Sequence, residues 1–429
     1  MAVDVTLTGT TVDSSGRAAP DKRPKLLSLA DAQARLLAGL ALTPPETVSL
    51  DRAYGRVSSH DIEAILSYPP APLSAMDGYA CRSADTTRLP VCLRKIGVSR
   101  AGERFEGMLD AGTCVRIFTG GIVPEGADTI AIQEDTVDVG GTIEIREVAK
   151  PGAFIRRAGL AFKAGDLCVK KGRALTARDI GILAASGHSE VSVRQRPAVA
   201  ILSTGDELLP PGTIPQAHQI VGSNALSLAA AVRGWGGSPI DLGIAPDRIE
   251  AIAAAAERAR QADILVTTGG ASAGEHDLVL ASLKILGFVA DSWRIAMRPG
   301  KSLMFGYLGD VPVLGMPGNP VSALVCALLF VRPALRAMQG LKPAVLAFER
   351  ATLAHAMPAN DMREDYVPAQ IEVGTDGEVR VRPFKIQNGS MLMTLAHADA
   401  LIKRAAFAPA VEKGEEVEVI RLDGRGENL

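Results

Sequence analysis

Val266-Thr-Thr-Gly-Gly-Ala-Ser-Ala-Gly-Glu-His-Asp277 leads an apolar strand-length run into a loop of small residues and ends on a carboxylate where a helical pattern begins. A strand, a glycine loop and a helix start in that order form the grammar of a phosphate site in an α/β sheet. Glycines 269, 270 and 274 let backbone N–H groups approach an anion with no Cβ in the way, and the next helix offers its partly positive N-terminus. Asp277 then adds negative charge beside a phosphate. That arrangement calls for a divalent cation between the two, because Mg²⁺ is usually held by one or two carboxylates plus phosphate oxygens.

The same grammar extends from Pro197 onward. Val199 to Leu202 reads as a strand, Ala225, Leu228, Ala229 and Val232 fall on one helical stripe behind Asn224 as a cap, and an Ala-rich helix spans Arg248 to Arg260. A strand at Ile264 to Val266 follows, then a strand, tight loop and buried helix around Met316. Strand and helix in alternation predict a parallel sheet covered by helices, here over residues 197–341.

Other stretches read differently. Ser28 caps a helix over Leu29 to Leu42, and Tyr68-Pro-Pro-Ala-Pro72 is a stiff extended hinge. Short alternating runs such as Gly141-Thr-Ile-Glu-Ile-Arg-Glu-Val148 make residues 71–162 an all-β insertion. It interrupts a linking domain made of 25–70 and 163–196, with a short helix at Ala177 to Ala185. Alternation returns at Val379 to Pro383 and Glu416 to Ile420, so 342–429 is expected to be a small β domain. Residues 1–24 are polar, lack the apolar core of a secretory signal, and are expected to be disordered.

Composition excludes several classes of partner. A chain of 429 residues exceeds one hydrophobic core, and its net charge of −2 leaves no electrostatic footprint for nucleic acid or an acidic membrane surface. Five cysteines without a C-x-x-C pair argue against a disulfide framework or a zinc site and fit a reducing cytoplasm. The most apolar stretch, Val311 to Val331, is broken by Pro317-Gly318-Asn319-Pro320, which argues against a membrane span.

Four loops follow strands in the α/β region: Ser203 to Glu207, Gly243 to Asp247, Thr267 to Asp277 and Met316 to Pro320. Converging at the carboxyl ends of the strands, they would bring Glu207, Asp247 and Asp277 to one crevice, and three acids beside an anion cradle imply Mg²⁺. Blander uses exist: Asp247 as a helix N-cap and Glu207 as a solvated loop residue. Arg294, Arg298 and Lys301 form a basic cluster suited to an oxyanion. Gly300-Lys301-Ser302 is not a P-loop, whose first glycine would fall at Ile295. In the β insertion, Asp77 and Thr119 stand in Ser74-Ala-Met-Asp-Gly-Tyr-Ala80 and Arg116-Ile-Phe-Thr-Gly120.

Those two segments, Ser203-Thr-Gly-Asp-Glu-Leu208, the Gly-Gly-Ala-Ser-Ala-Gly loop, Arg298-Pro-Gly-Lys301 and Pro317-Gly-Asn-Pro-Val-Ser322 together resemble the molybdopterin molybdotransferase (MoeA-like) family, in order and spacing, from about residue 25 to the end. The resemblance implies an elongated multidomain protein with an α/β molybdopterin-binding domain, the β insertion and a C-terminal small β-barrel. It implies that adenylylated molybdopterin and molybdate are converted to molybdenum cofactor and AMP with Mg²⁺, in a cytoplasmic homodimer. Glu207, Asp247 and Asp277 would hold metal and phosphate, with Asp77 and Thr119 completing the cleft from the other subunit. Gly269, Gly270, Ser272, Gly274, Arg294, Arg298, Gly300, Lys301, Ser302, Gly318, Asn319, Pro320, Ser322 and Ser390 would bind pterin or molybdate. Partners implied in the same way are the molybdopterin adenylyltransferase and molybdoenzyme chaperones. Two departures stand out: arginines at 294 and 298 where the family commonly has lysine, and Pro368 where it usually has arginine. The competing readings are the adenylyltransferase itself, against which the additional β domains argue, and a non-catalytic cofactor-binding scaffold.

Overall fold

Residues 198–202, 264–266 and 311–316 are apolar without polar alternation, as strands covered on both faces must be. The computed structural model describes residues 26–147, 150–269, 277–291, 294–342, 348–374, 377–385 and 390–422, and these three runs form the middle of a six-stranded sheet. The expected disorder of residues 1–24, and Gly270, Ser272 and Gly274 of the glycine loop, lie outside the described residues.

Numbered within this α/β layer, the elements are β1 (Ala198–Thr204), α1 (Asn224–Gly234), β2 (Ser238–Ala245), α2 (Ile249–Glu257), β3 (Ile264–Thr268), α3 (Leu278–Ile285), β4 (Phe288–Ala290), β5 (Met304–Leu308), β6 (Val311–Met316) and α4 (Pro320–Cys326). The strand order is β2-β1-β3-β6-β5-β4, parallel across the first four and antiparallel at β5 and β4. Val199 and Ile201 join a core with α1 and α4, whereas Ala200 and Leu202 face α2 and α3 on the other side. The chain moves from β1 to β2 on one side and then crosses to β3 on the other. The switch point therefore lies between β1 and β3, where open α/β sheets bind their ligands.

The apolar helical stretch Pro320–Met338 has 19 residues of mean hydropathy 1.7 and is 83% buried within the protein. It is a core helix: residues from Cys326 to Val331 are each no more than 1% exposed. Helix Leu29–Ala38 shares that core, with Ala32 and Leu36 fully buried and the Gln33 amide donating to the Leu329 carbonyl at 2.6 Å. Residues 26–43 thus pack with the α/β layer and not with the linking domain where the sequence pattern had put them. Their pairing partners lie far along the chain, and no local periodicity reports them.

Five strands, Glu364–Val373, Val379–Pro383, Phe348–Leu353, Glu416–Arg421 and Ala400–Arg404, close into a barrel because the last pairs back with the first. A sixth, the two-residue strand Met297–Arg298, comes from the α/β layer and pairs in parallel with Glu364–Val373. Tyr366, Leu401 and Ile420 of the barrel are buried in the same core as Phe330.

Residues 44–195 form a separate unit. Its six-stranded sheet runs Thr129–Ile132, Gly78–Cys81, Thr113–Ile117, Val91–Ser99, Thr142–Ile145 and Thr136–Val139. The two ends of this insertion pair with each other: Tyr68 N–H donates to the Phe162 carbonyl at 2.9 Å and their rings stack. Helix Ala177–Ala185 lies over a second small core containing Ile62, Leu175, Leu183 and Val193.

Leu36→Ala should lower the unfolding free energy by roughly 2–5 kcal/mol, the usual cost of a fully buried leucine. In a denaturant titration followed by domain-resolved hydrogen exchange, the loss should fall on the α/β layer; destabilisation confined to residues 44–195 would contradict the packing of helix Leu29–Ala38.

Candidate active site

Every loop expected at the site starts at the carboxyl end of one of the four parallel strands. In register, Thr204 pairs with Ala245, Ser203 with Thr268, and Thr268 with Met316. The loops meet closely. Gly269 has φ +91°, and a Cβ there would stand 2.4 Å from the Thr204 carbonyl oxygen, so only glycine fits. A Cβ on Gly318 would in turn lie 3.6 Å from the Gly269 Cα. Asn224 opens α1 and is not its cap; Ser223 takes the N-cap place and the Asn224 amide donates to the Gly318 carbonyl at 2.7 Å.

At the β1 and β2 ends, acids gather. Glu207 folds its carboxylate back over Gly205, where a Cβ would be 2.6 Å from one of its oxygens. The Asp247 N–H donates to the Asp206 carboxylate at 3.0 Å. Partial desolvation and then the charges of Asp206 and Glu207 push the Asp247 carboxyl above the usual range. Asp206 stands inside the Ser203 to Glu207 motif, where sequence alone does not single it out. Asp247 is not the cap of α2, whose N-cap is Arg248 without a side-chain bond. Capping falls to Asp277, whose carboxylate accepts from the Leu280 N–H at 2.9 Å. Burial raises the Asp277 carboxyl, the N–H groups of Leu280 and Val279 oppose this, and no other acid among the described residues acts on it. The expected convergence of all three acids is therefore not formed: among the described residues no three His, Cys, Asp or Glu side chains close on a metal position.

On the β6 side, Asn319 stands at the N-cap position of α4, Pro320 is its first residue, and Ser322 is buried in its first turn. The Ser390 hydroxyl, from the barrel region, donates to the Asn319 side chain at 3.1 Å. The Arg294 carbonyl and the Lys301 carbonyl fix the neighbouring turn, accepting from Leu27 and Ile295. Both residues are exposed, Ser302 is half-buried, and Gly300 is held against Cys326, where a Cβ would be 2.5 Å from the sulfur.

Arg298 and Pro299 border a pocket of about 670 Å³ shared with the barrel, whose wall includes Asn360, Asp365, Pro368 and Lys385. The Arg298 guanidinium bonds to Asp365, reaches Asn360 at 3.3 Å and faces Asp361 at 3.5 Å. Asp365 was not singled out from sequence. Its carboxyl is raised by burial, against which the Arg298 bond works. Pro368 does line this pocket, and Lys385 brings a cation to the same wall.

Asp77 and Thr119 meet within the 44–195 unit. The Asp77 carboxylate accepts from the Thr119 N–H at 2.7 Å and hydroxyl at 2.8 Å, and those bonds, with Arg116 nearby, hold it below the usual range. Their two motifs are also tied through backbone bonds between Ser74 and Gly120–Gly121.

Comparison with known proteins accounts for most of the chain. Family models match at residues 27–187 (MoeA N-terminal region, domain I and II), 200–337 (probable molybdopterin binding domain) and 350–422 (MoeA C-terminal region, domain IV). The molybdopterin molybdenumtransferase of Haemophilus influenzae is 33% identical over 402 residues, 92% of this chain and 98% of that protein. The Nostoc protein of the same name is 35% identical over 390 residues, 88% of each. Two crystal structures of the molybdopterin biosynthesis MoeA protein from Pyrococcus horikoshii superpose with TM-scores of 0.82 and 0.76 at 32% and 28% identity, covering 93% and 92% of this chain and 100% and 99% of those.

Asp277→Ala should cost about 1 kcal/mol through the lost cap, whereas Asp277→Asn keeps a capping side chain and removes only the charge. Because the folded protein holds the Asp277 proton more tightly than the unfolded chain, its stability from this group falls as pH rises from the ordinary aspartate range through the raised value. Thermal unfolding should find Asp277→Asn at least as stable as the parent at neutral pH, with the advantage fading in acid. An Asn variant as unstable as the Ala variant would contradict the assignment.

Proposed function

The chain belongs to the MoeA family of molybdopterin molybdenumtransferases, and we propose that its α/β crevice joins molybdate to adenylylated molybdopterin with release of AMP. It is a transferase of molybdenum cofactor biosynthesis. The observation that carries the site assignment is the meeting of four strand ends at one switch point, with acids at the β1 and β2 ends and the Arg298 turn and Ser390 at the β6 side.

In this reading the pyrophosphate of the pterin nucleotide lies on the Gly269 loop. Molybdate lies toward Arg298, Lys301, Ser302, Ser322 and Ser390, with Lys385 adding positive charge at the wall that Pro368 shares. Bringing an oxyanion and a phosphoanhydride together crowds negative charge, and preorganised cations are the strongest means of offsetting it. Mg²⁺ fits the acid end: Asp206 and Glu207 act on Asp247 as like charges, a crowding that a cation relieves, and hard oxygen donors suit this ion. When bound, it would neutralise phosphate oxygens as the anhydride breaks. Since the carboxylates of the described residues do not form a closed cage, substrate phosphate would complete the coordination. Asp277 serves this site through its cap, by fixing where α3 begins behind the loop.

We place the protein in the cytoplasm as a homodimer in which Asp77 and Thr119 of one subunit complete the other's crevice. Its five cysteines are free, as a reducing compartment keeps them. The adenylyltransferase that makes the substrate and the chaperones that take the product are the contacts this role calls for.

Purified protein given adenylylated molybdopterin, Mg²⁺ and molybdate should release AMP, and Glu207→Ala should slow release by a factor on the order of a hundred, as loss of a charge-stabilising group does. Cofactor binding without molybdate-dependent AMP release would favour the scaffold reading instead.

A further inference from the structure

Asp365 stands between two arginines that no local sequence pattern connects. Strand Met297–Arg298 pairs in parallel with the barrel so that Arg298 is opposite Asp365, and on the other side Asp365 is opposite Arg404 of strand Ala400–Arg404. Directly paired residues of adjacent strands share a face, so Arg298, Asp365 and Arg404 form one row of alternating charge across three strands, and all three border the pocket.

The row is graded in depth. The Arg298 side chain is 49% exposed, while Asp365 and Arg404 are only 5% and 4% exposed. One Asp365 oxygen takes the Arg298 guanidinium; the other, Oδ1, is buried with no hydrogen-bond partner among the described residues, as is Nη1 of Arg404. Arg404 is anchored by its other nitrogen to the carbonyls of Pro358 and Pro409. Asn360 locks the same corner: its amide nitrogen donates to the carbonyls of Arg363 and Ala405 at 2.7 and 2.9 Å, and its oxygen accepts from Arg298.

A buried carboxylate left half-satisfied is costly, and such a cost is commonly retained where it fixes a geometry. We propose that Asp365, paired across the strands with Arg404 behind it, is a positioning residue that aims Arg298 at the oxyanion of the transferase reaction. Alone, a long arginine on an exposed turn samples many rotamers; tied to a fixed carboxylate, it presents its guanidinium to the pocket in one orientation. Asp365 and Arg404 touch no substrate and act through Arg298. The inference rests on the reading that places molybdate beside Arg298.

The test is a double-mutant cycle on the full chain, reading AMP release against molybdate concentration. Arg298→Ala and Asp365→Asn should each raise the half-saturating molybdate concentration about tenfold, as expected for one charge-assisted hydrogen bond, with half-saturation by the pterin nucleotide unchanged. The double variant should be no worse for molybdate than Arg298→Ala alone. Additive losses, or an Asp365→Asn enzyme with the parent's molybdate dependence, would overturn the inference. If Arg298→Ala itself leaves molybdate dependence unchanged, the placement of molybdate beside Arg298 is what fails, and the inference falls with it. Should Asp365→Asn not fold, Arg404→Gln enters the same cycle with the same expectation.

Discussion

The approach of Gly269 to the Thr204 carbonyl fixes how the strand ends of the α/β sheet meet. With a Cβ position 2.4 Å from that oxygen, the end of β3 can lie against the end of β1 only with glycine in this left-handed conformation. Once those two strand ends are side by side, the order β2-β1-β3-β6 brings the remaining loops to the same edge. Gly318 closes on Gly269, Asn224 ties Gly318 to the start of α1, and Ser390 reaches Asn319 from the barrel region. The crevice follows from the topology of a sheet buried on both faces, and the loops only decorate it.

Charge is distributed along that edge by the same logic. The acids come from the loops after β1 and β2, where hydrogen bonds from the Gly205 N–H to the Ala245 carbonyl and from the Asp247 N–H to the Asp206 carboxylate bring like charges together. The cationic turn comes from Arg298, whose strand leaves the α/β layer to pair with the barrel.

Much of this was legible in the sequence. The strand pattern at 199–202, 264–266 and 379–383 and the helix at 177–185 reappear with small extensions, because burial on both faces and helical spacing are local signals. The division of the acids was not legible. A carboxylate just before a helix can cap it or hold a metal, and the structure gives the cap to Asp277 and leaves Asp247 uncommitted. Helix Leu29–Ala38 was read correctly as a helix but assigned to the wrong unit, since its partners lie some 300 residues away in the core around Leu329. Asp365 and Arg404 were invisible for the same reason: their significance lies in register across three strands from distant parts of the chain.

In the proposed reaction the oxyanion lies at the Arg298 end of the crevice. Tungstate, an isostere of molybdate with a strong anomalous signal, can be soaked into crystals of the protein with the pterin nucleotide bound. The predicted result is an anomalous peak within hydrogen-bond reach of Arg298 and Ser390, between the α/β turn and the barrel. A single peak at the Asp206, Glu207 and Asp247 end, or remote from both residues, would contradict it.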